Sequence, residues 1–156
     1  MAARFRRRLV TVLLVLYTAF VLVITATPEM PGSSFVRRGV DWLLYALNAR
    51  QQSIHFSYLH VEFIGNILMF VPLGIFAALL IARKHWWLLL FMGTAFSIGI
   101  EMFQATFLPD RVPEVRDVIS NSAGFLIGSV ISLSFRLIVG YRDSLVALDR
   151  RQAAVR

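Results

Sequence analysis

Apolar residues dominate four stretches of the chain, and polar residues enter three of them only near one end. The stretches run over Leu9–Thr27, Phe63–Ala82, Trp86–Phe107 and Val118–Val139. Each approaches the ~20 residues that an α-helix needs to cross a bilayer at 1.5 Å rise per residue. A fifth pattern is different in kind. Over Phe35–Arg50, Val36, Val40, Leu43, Leu44 and Leu47 recur at helical spacing, while Arg37, Arg38, Asp41 and Asn48 fall mostly on other faces. Trp42 and Tyr45 in that stretch suit a membrane–water interface. The pattern predicts an all-α protein: a four-helix transmembrane bundle with an extracytoplasmic interfacial helix between its first two spans. That helix can lie on the outer surface, pack as a lid over the bundle, or do both.

Composition agrees with this reading. The chain has 156 residues, of which 58% are hydrophobic, and a mean hydropathy of +0.69. A soluble domain of this length cannot hide so much apolar surface in one core, so residues 1–156 read as a single integral membrane domain. The net charge of +7 does not indicate nucleic acid, because the arginines sit at the ends of apolar runs. They read as topology signals and lipid-headgroup contacts. There are no cysteines, which excludes disulfides and thiolate metal sites.

Lysine and arginine set an orientation. Ten of them (Arg4, Arg6, Arg7, Arg8, Arg83, Lys84, Arg142, Arg150, Arg151 and Arg156) fall on one side, and five (Arg37, Arg38, Arg50, Arg111 and Arg116) on the other. The positive-inside rule then puts both termini in the cytoplasm. Arg136, within the fourth span, is long enough to snorkel to the headgroups. The first segment, with its basic start and its Thr25-Ala26-Thr27-Pro28 end, has a signal peptide as its alternative reading. The orientation of the other spans is the same either way.

With spans alternating in direction, the polar residues converge. Glu62 and Asn66 open the second span, Glu101 and Gln104 close the third, and Asp117 and Asn121 open the fourth. All six fall at one leaflet level, and each pair shares a helix face. Gly93, Ser97 and Glu101 form one stripe; Ser120, Gly124, Gly128 and Ser132 form another, beside Asn121. Small residues at this spacing allow close helix approach, so the polar groups should point into the bundle. Pro72 predicts a kink and an unpaired carbonyl near Leu68, and with them a widened outer vestibule. A buried carboxylate such as Glu101 must find a cation, donors or a proton. Arg111 and Arg116 in the Pro109–Asp117 loop are the nearest cations. Glu62, Asn66, Glu101, Gln104, Arg111, Arg116, Asp117 and Asn121 are therefore the candidate binding residues. The competing role is structural: Asn, Gln and Ser as interhelical glue and one Arg–carboxylate clamp. His55, His60 and Glu62 match no standard metal spacing, and no phosphate-loop, nucleophile-elbow or zincin motif occurs. No metal or cofactor is expected.

These residues resemble the VanZ-like family of bacterial membrane proteins. The resemblance is carried by Asn66-x-x-x-Phe70-x-Pro72-x-Gly74, Glu101-x-x-Gln104, Arg111, and Asp117-x-x-x-Asn121-x-x-Gly124-x-x-x-Gly128, over roughly Glu62–Ser132. Arg116 departs from it, since the family tends to place an acidic or small polar residue before the aspartate. The resemblance implies a multi-pass protein of the bacterial cytoplasmic membrane. It also implies an envelope role linked to susceptibility to teicoplanin, a lipid-tailed glycopeptide. Three functions fit the residues. The first is binding of an envelope lipid or its anionic headgroup in the outer vestibule. The second is an enzyme or transporter acting on a lipid-linked phosphate, with the arginines holding phosphate and Glu101 or Asp117 moving protons. The third is a partner subunit of a polysaccharide or cell-wall assembly complex, which docks through its helix stripes. Cationic clamps without an evident nucleophile favour the first.

Overall fold

A computed structural model of the chain describes residues 2–26, 33–49, 57–108 and 114–153. Five α-helices follow in order: α1 (Ala2–Ala26), α2 (Ser33–Asn48), α3 (Tyr58–Leu80), α4 (Leu88–Phe107) and α5 (Val115–Ala153). A 3-10 turn at Arg83–His85 joins α3 to α4, and no strand occurs among the described residues. Helices α1, α3, α4 and α5 are long and apolar enough to cross a membrane. Their outward faces carry large exposed hydrophobics such as Val15, Leu68, Phe91 and Phe135. Such a surface suits lipid, and lipid also explains why every spanning element is a helix that satisfies its own backbone.

Lipid gives apolar helices no hydrophobic reason to associate, so close packing must hold them. The tightest packing joins α3 and α5, which run parallel. A Cβ added at Gly74, Gly124 or Gly128 would collide with the carbonyl oxygens of Phe125, Ile67 and Val71 respectively. The two backbones therefore touch along several turns. Gly93 of α4 plays the same part more softly, since its Cβ would lie 2.6 Å from the Phe125 ring. Phe70, Leu89 and Val21 are fully buried between the helices. α1 is the least buried span, yet it belongs to the bundle. Its Tyr17 hydroxyl donates to the Met69 carbonyl oxygen at 3.1 Å, and Val21 lies in the core.

Pro72 lies inside an unbroken α3. The α3–α5 contact continues on both sides of it, from Ile67 against Gly124 to Gly74 against Phe125. These two helices therefore stay in contact past the proline. The Tyr17 hydroxyl donates to the Met69 carbonyl, one residue beyond the Leu68 carbonyl from which Pro72 withholds an N–H.

Arg136 also differs from its sequence reading. Instead of snorkelling, its guanidinium donates to the carbonyl oxygens of Ala78 and, at 2.9 Å, Ile81. It thus closes the C-terminal turn of α3, whose last carbonyls have no intrahelical donor and carry the negative end of the helix dipole. Arg83 donates in turn to the Arg136 carbonyl oxygen. Beyond Val139 the apolar pattern stops, but the helix continues to Ala153, since no proline follows to end it. α2 matches the predicted interfacial helix, with Trp42 and Tyr45 exposed. Arg50, its expected last residue, lies outside the described residues. The Tyr58 hydroxyl donates to the Asp41 carboxylate, which ties α2 to the start of α3.

The backbone contact yields a test. Gly128→Val forces α5 away from α3 and should cost more than the ~1–3 kcal/mol usual for overpacking. Gly99→Val adds the same atoms where nothing lies within 4 Å and should change little. Thermal unfolding of both variants in detergent measures the difference. Equal midpoints would show that the helices do not meet through their backbones.

Candidate functional site

The polar residues gather at the end of the bundle where α3 and α5 begin and α1 and α4 finish. Helical spacing brings Ser97, Glu101 and Gln104 to one face of α4, and all three are buried. α3 supplies Glu62 and Asn66, and α5 supplies Arg116, Asp117 and Asn121. The register set by the glycine contacts lets these side chains meet across helices. Asn66 Nδ2 donates to Asp117 Oδ1 at 3.0 Å. Arg116 Nη2 lies 3.2 Å from Glu62 Oε2 and 3.1 Å from Glu114 Oε2. One turn deeper, Asn121 Nδ2 donates to Ser97 Oγ at 3.0 Å. Gln104 Nε2 donates to the Thr25 carbonyl oxygen at 2.9 Å, so α1 is fastened to α4 at this end.

Glu101 finds its donor in the backbone. Its Oε2 accepts the Glu114 N–H at 3.1 Å. The Glu114 carbonyl accepts from Asp117 N–H at 2.9 Å, so Glu114 stands at the N-terminal cap of α5. A carboxylate there meets the positive end of the helix dipole. The sequence had offered Arg111 or Arg116 as partner for Glu101. Arg116 turns instead to Glu62 and Glu114, and Arg111 lies outside the described residues.

Three members of the cluster were not legible as such in the sequence. Glu114 sits between the two named arginines, and its charge was the signal that could have found it. Ser97 was read only as a small packing residue, although a hydroxyl one turn from Glu101 is also a hydrogen-bond partner. Thr25 contributes a main-chain oxygen, which no side-chain pattern reports. His60 is engaged locally: its Nδ1 accepts the Ser57 N–H at 3.2 Å and contacts Ser57 Oγ at 2.8 Å in the α3 capping box. His55 lies outside the described residues, among which no grouping of His, Asp and Glu could hold a metal.

Burial rises steeply across the cluster. The Glu62 and Glu114 side chains are about half exposed and Arg116 is 29% exposed, whereas Glu101, Gln104 and Asn121 are buried. Four buried side-chain atoms lack a partner among the described residues, and two of them belong to the cluster: the Arg116 Nε donor and the Asn121 Oδ1 acceptor; the others are Ser122 Oγ and Ser132 Oγ on α5. Each such atom costs roughly 1–3 kcal/mol if nothing binds it. The arrangement is a polar path that leads from an exposed ion-paired rim to a buried amide, with one donor and one acceptor to spare.

Residues 9–137 match the sequence model of the VanZ/LLP1 family. The chain belongs to the VanZ/LLP1 family. The matched stretch contains the whole polar cluster and all four apolar spans up to Leu137. No curated protein and no solved structure matches the chain.

Glu101→Ala removes the acceptor of the α5 cap and should cost about 1.5–3 kcal/mol, as for a hydrogen bond to a charged group. Asp143→Ala removes a carboxylate that is two-thirds exposed and should stay within about 0.5 kcal/mol. Thermal unfolding in detergent compares them. Equal tolerance would mean that Glu101 does not hold α5 to α4.

Proposed function

We propose that this VanZ/LLP1-family protein binds the polar headgroup of a membrane lipid at the clustered end of its bundle. The observation that carries the reading is the pair of unpartnered buried atoms, Arg116 Nε and Asn121 Oδ1. Arg116 Nη2 carries both carboxylates, and the adjoining Nε–H is left for an oxygen of phosphate or carbonyl type. Asn121 Oδ1 takes a hydroxyl or amine hydrogen. A lipid headgroup with an anionic oxygen and a hydrogen-bond donor supplies both.

The protein lies in the cytoplasmic membrane of a bacterium, with the clustered end toward the outer leaflet and both termini in the cytoplasm. Ten basic residues against five support this orientation. Headgroup capture there alters how the envelope meets amphiphilic drugs, so cells change in susceptibility to lipid-tailed glycopeptides while the drug stays chemically intact. Recovery of modified drug would favour an enzyme instead.

Two experiments test the reading. Lysine at position 116 keeps a charge for Glu62 and Glu114 but has no Nε–H edge. Arg116→Lys should therefore lower the amount of lipid that co-purifies, measured by lipid mass spectrometry, whereas Arg142→Lys at the other end should not. If the two variants retain the same lipids as the unmodified chain, the headgroup site is wrong. The chain has no cysteine, so single cysteines report topology directly. In intact cells an impermeant thiol reagent should label Ser57→Cys and leave Ser144→Cys unlabelled; the reverse pattern would invert the protein.

A further inference from the structure

The opposite end of the bundle is a separate chemical environment. Arg4, Arg7, Arg8 and Thr11 fall three and four residues apart in α1 and share one face. Together with Val12 they line a hollow of about 370 Å³. The arginine side chains are exposed, and none of the three forms an ion pair among the described residues. Thr11 spends its hydroxyl hydrogen on the Arg7 carbonyl at 2.9 Å, which leaves its oxygen toward the same face. Below the arginines the character changes at once. Val12, Val15, Leu16 and Phe20 continue down α1, and all are exposed. An uncompensated cationic head above a bare apolar ridge is the complement of an amphiphile with an anionic head.

We infer that this face of α1 is a binding site for an anionic phospholipid, with the phosphate held by Arg4, Arg7 and Arg8 and an acyl chain laid along Val12, Leu16 and Phe20. Guanidinium groups bind phosphate oxygens in pairs. Three of them around one hollow can enclose a phosphate, whereas a lone basic residue at a span end gives only a diffuse attraction to the leaflet. A free phosphate would use the arginines but leave the ridge unused. A soluble acidic protein could not reach a ridge that faces hydrocarbon. The site does not depend on which leaflet the end faces or on the cluster at the other end. Arg4, Arg7 and Arg8 precede the stretch matched to the family, so the inference concerns this chain itself. It also gives the least buried span a counter-ion that the described protein does not provide.

The test uses the full chain reconstituted in nanodiscs of phosphatidylcholine with a minor fraction of phosphatidylglycerol, then extracted and read by native mass spectrometry. Phosphatidylglycerol should be retained well above its share of the bilayer. Each arginine changed to glutamine among Arg4, Arg7 and Arg8 should lower that retention roughly fivefold. Thr11→Phe keeps every charge, and with it the topology signal, but fills the hollow; it should lower retention as well. Arg142→Gln with Arg150→Gln, on the extension of α5, should not. Three outcomes would overturn the inference. One is equal retention of the two lipids by the unmodified chain. The second is a loss as large from the α5 pair as from the α1 arginines, which would mean diffuse charge. The third is displacement of the lipid by millimolar inorganic phosphate, which would mean that only the phosphate is recognised.

Discussion

The α3–α5 backbone contact is the constraint on which the rest of the structure depends. In lipid, helices gain nothing from hiding apolar side chains, and association rests on fit and on polar links. Gly74, Gly124 and Gly128 give the fit: they remove the side chains that would separate the two helices. The same contact fixes register. Ile67 lies over Gly124, so Asn66 and Asp117 arrive at 3.0 Å and Glu62 and Arg116 at 3.2 Å. A slip of one residue would rotate each polar group about 100° around its helix, toward lipid. A charged side chain in hydrocarbon costs ~2.5–3.5 kcal/mol on insertion scales. The glycines therefore place the charges, and the charges penalise any other register.

Several polar groups within the spans find partners on other helices, and those partners are often backbone. Tyr17 serves a carbonyl near Pro72, Gln104 serves Thr25, and Arg136 closes the end of α3. This explains what the sequence disclosed. The four spans, the α2 helix and the small-residue stripes were legible because periodicity and side-chain size are properties of each helix alone. The convergence of Glu62, Asn66, Glu101, Gln104, Arg116, Asp117 and Asn121 was legible from alternating span direction. Individual partners were not. Nothing in the sequence says that Glu101 accepts a backbone N–H, or that Arg136 reaches back to α3 rather than out to headgroups. These choices follow from interhelical distances of a few ångströms, which the glycine contacts set and a one-dimensional pattern does not contain. The packing around Pro72 was illegible for the same reason, since only the neighbouring helix decides whether a proline opens a gap beside it.

The two ends of the bundle differ in their balance of charge. Asp41, Glu62, Glu101, Glu114 and Asp117 lie at one end together with Arg38 and Arg116, and Arg4, Arg7, Arg8, Arg83, Lys84 and Arg136 lie at the other together with Asp143. Helix dipoles account for part of this. α3 and α5 present their N-termini to the acidic end, where partial positive charge favours carboxylates. α3 presents its C-terminus to the basic end, where Arg136 meets its carbonyls. Because α3 and α5 are parallel, their dipoles repel side by side, and opposite charges at the two ends offset that repulsion.

Glu101 is the exception that shows how the parts are coupled. It sits in the last turns of α4, near the negative end of that helix's own dipole, where a carboxylate is unfavourable. Its burial would raise the cost further. The N-terminus of α5 works against both, through the Glu114 N–H, and α5 in turn packs most closely on α3. The stability of the carboxylate in α4 is thus coupled to a contact made between two other helices. A change that loosened α3 from α5 would reach Glu101 without touching it. Arg116 stands where such a change would enter, since it bridges α3 through Glu62 to the cap of α5 through Glu114. A ligand bound at its unpartnered Nε, as proposed above, would act on the same joint, and its binding would then be linked to the packing of the bundle.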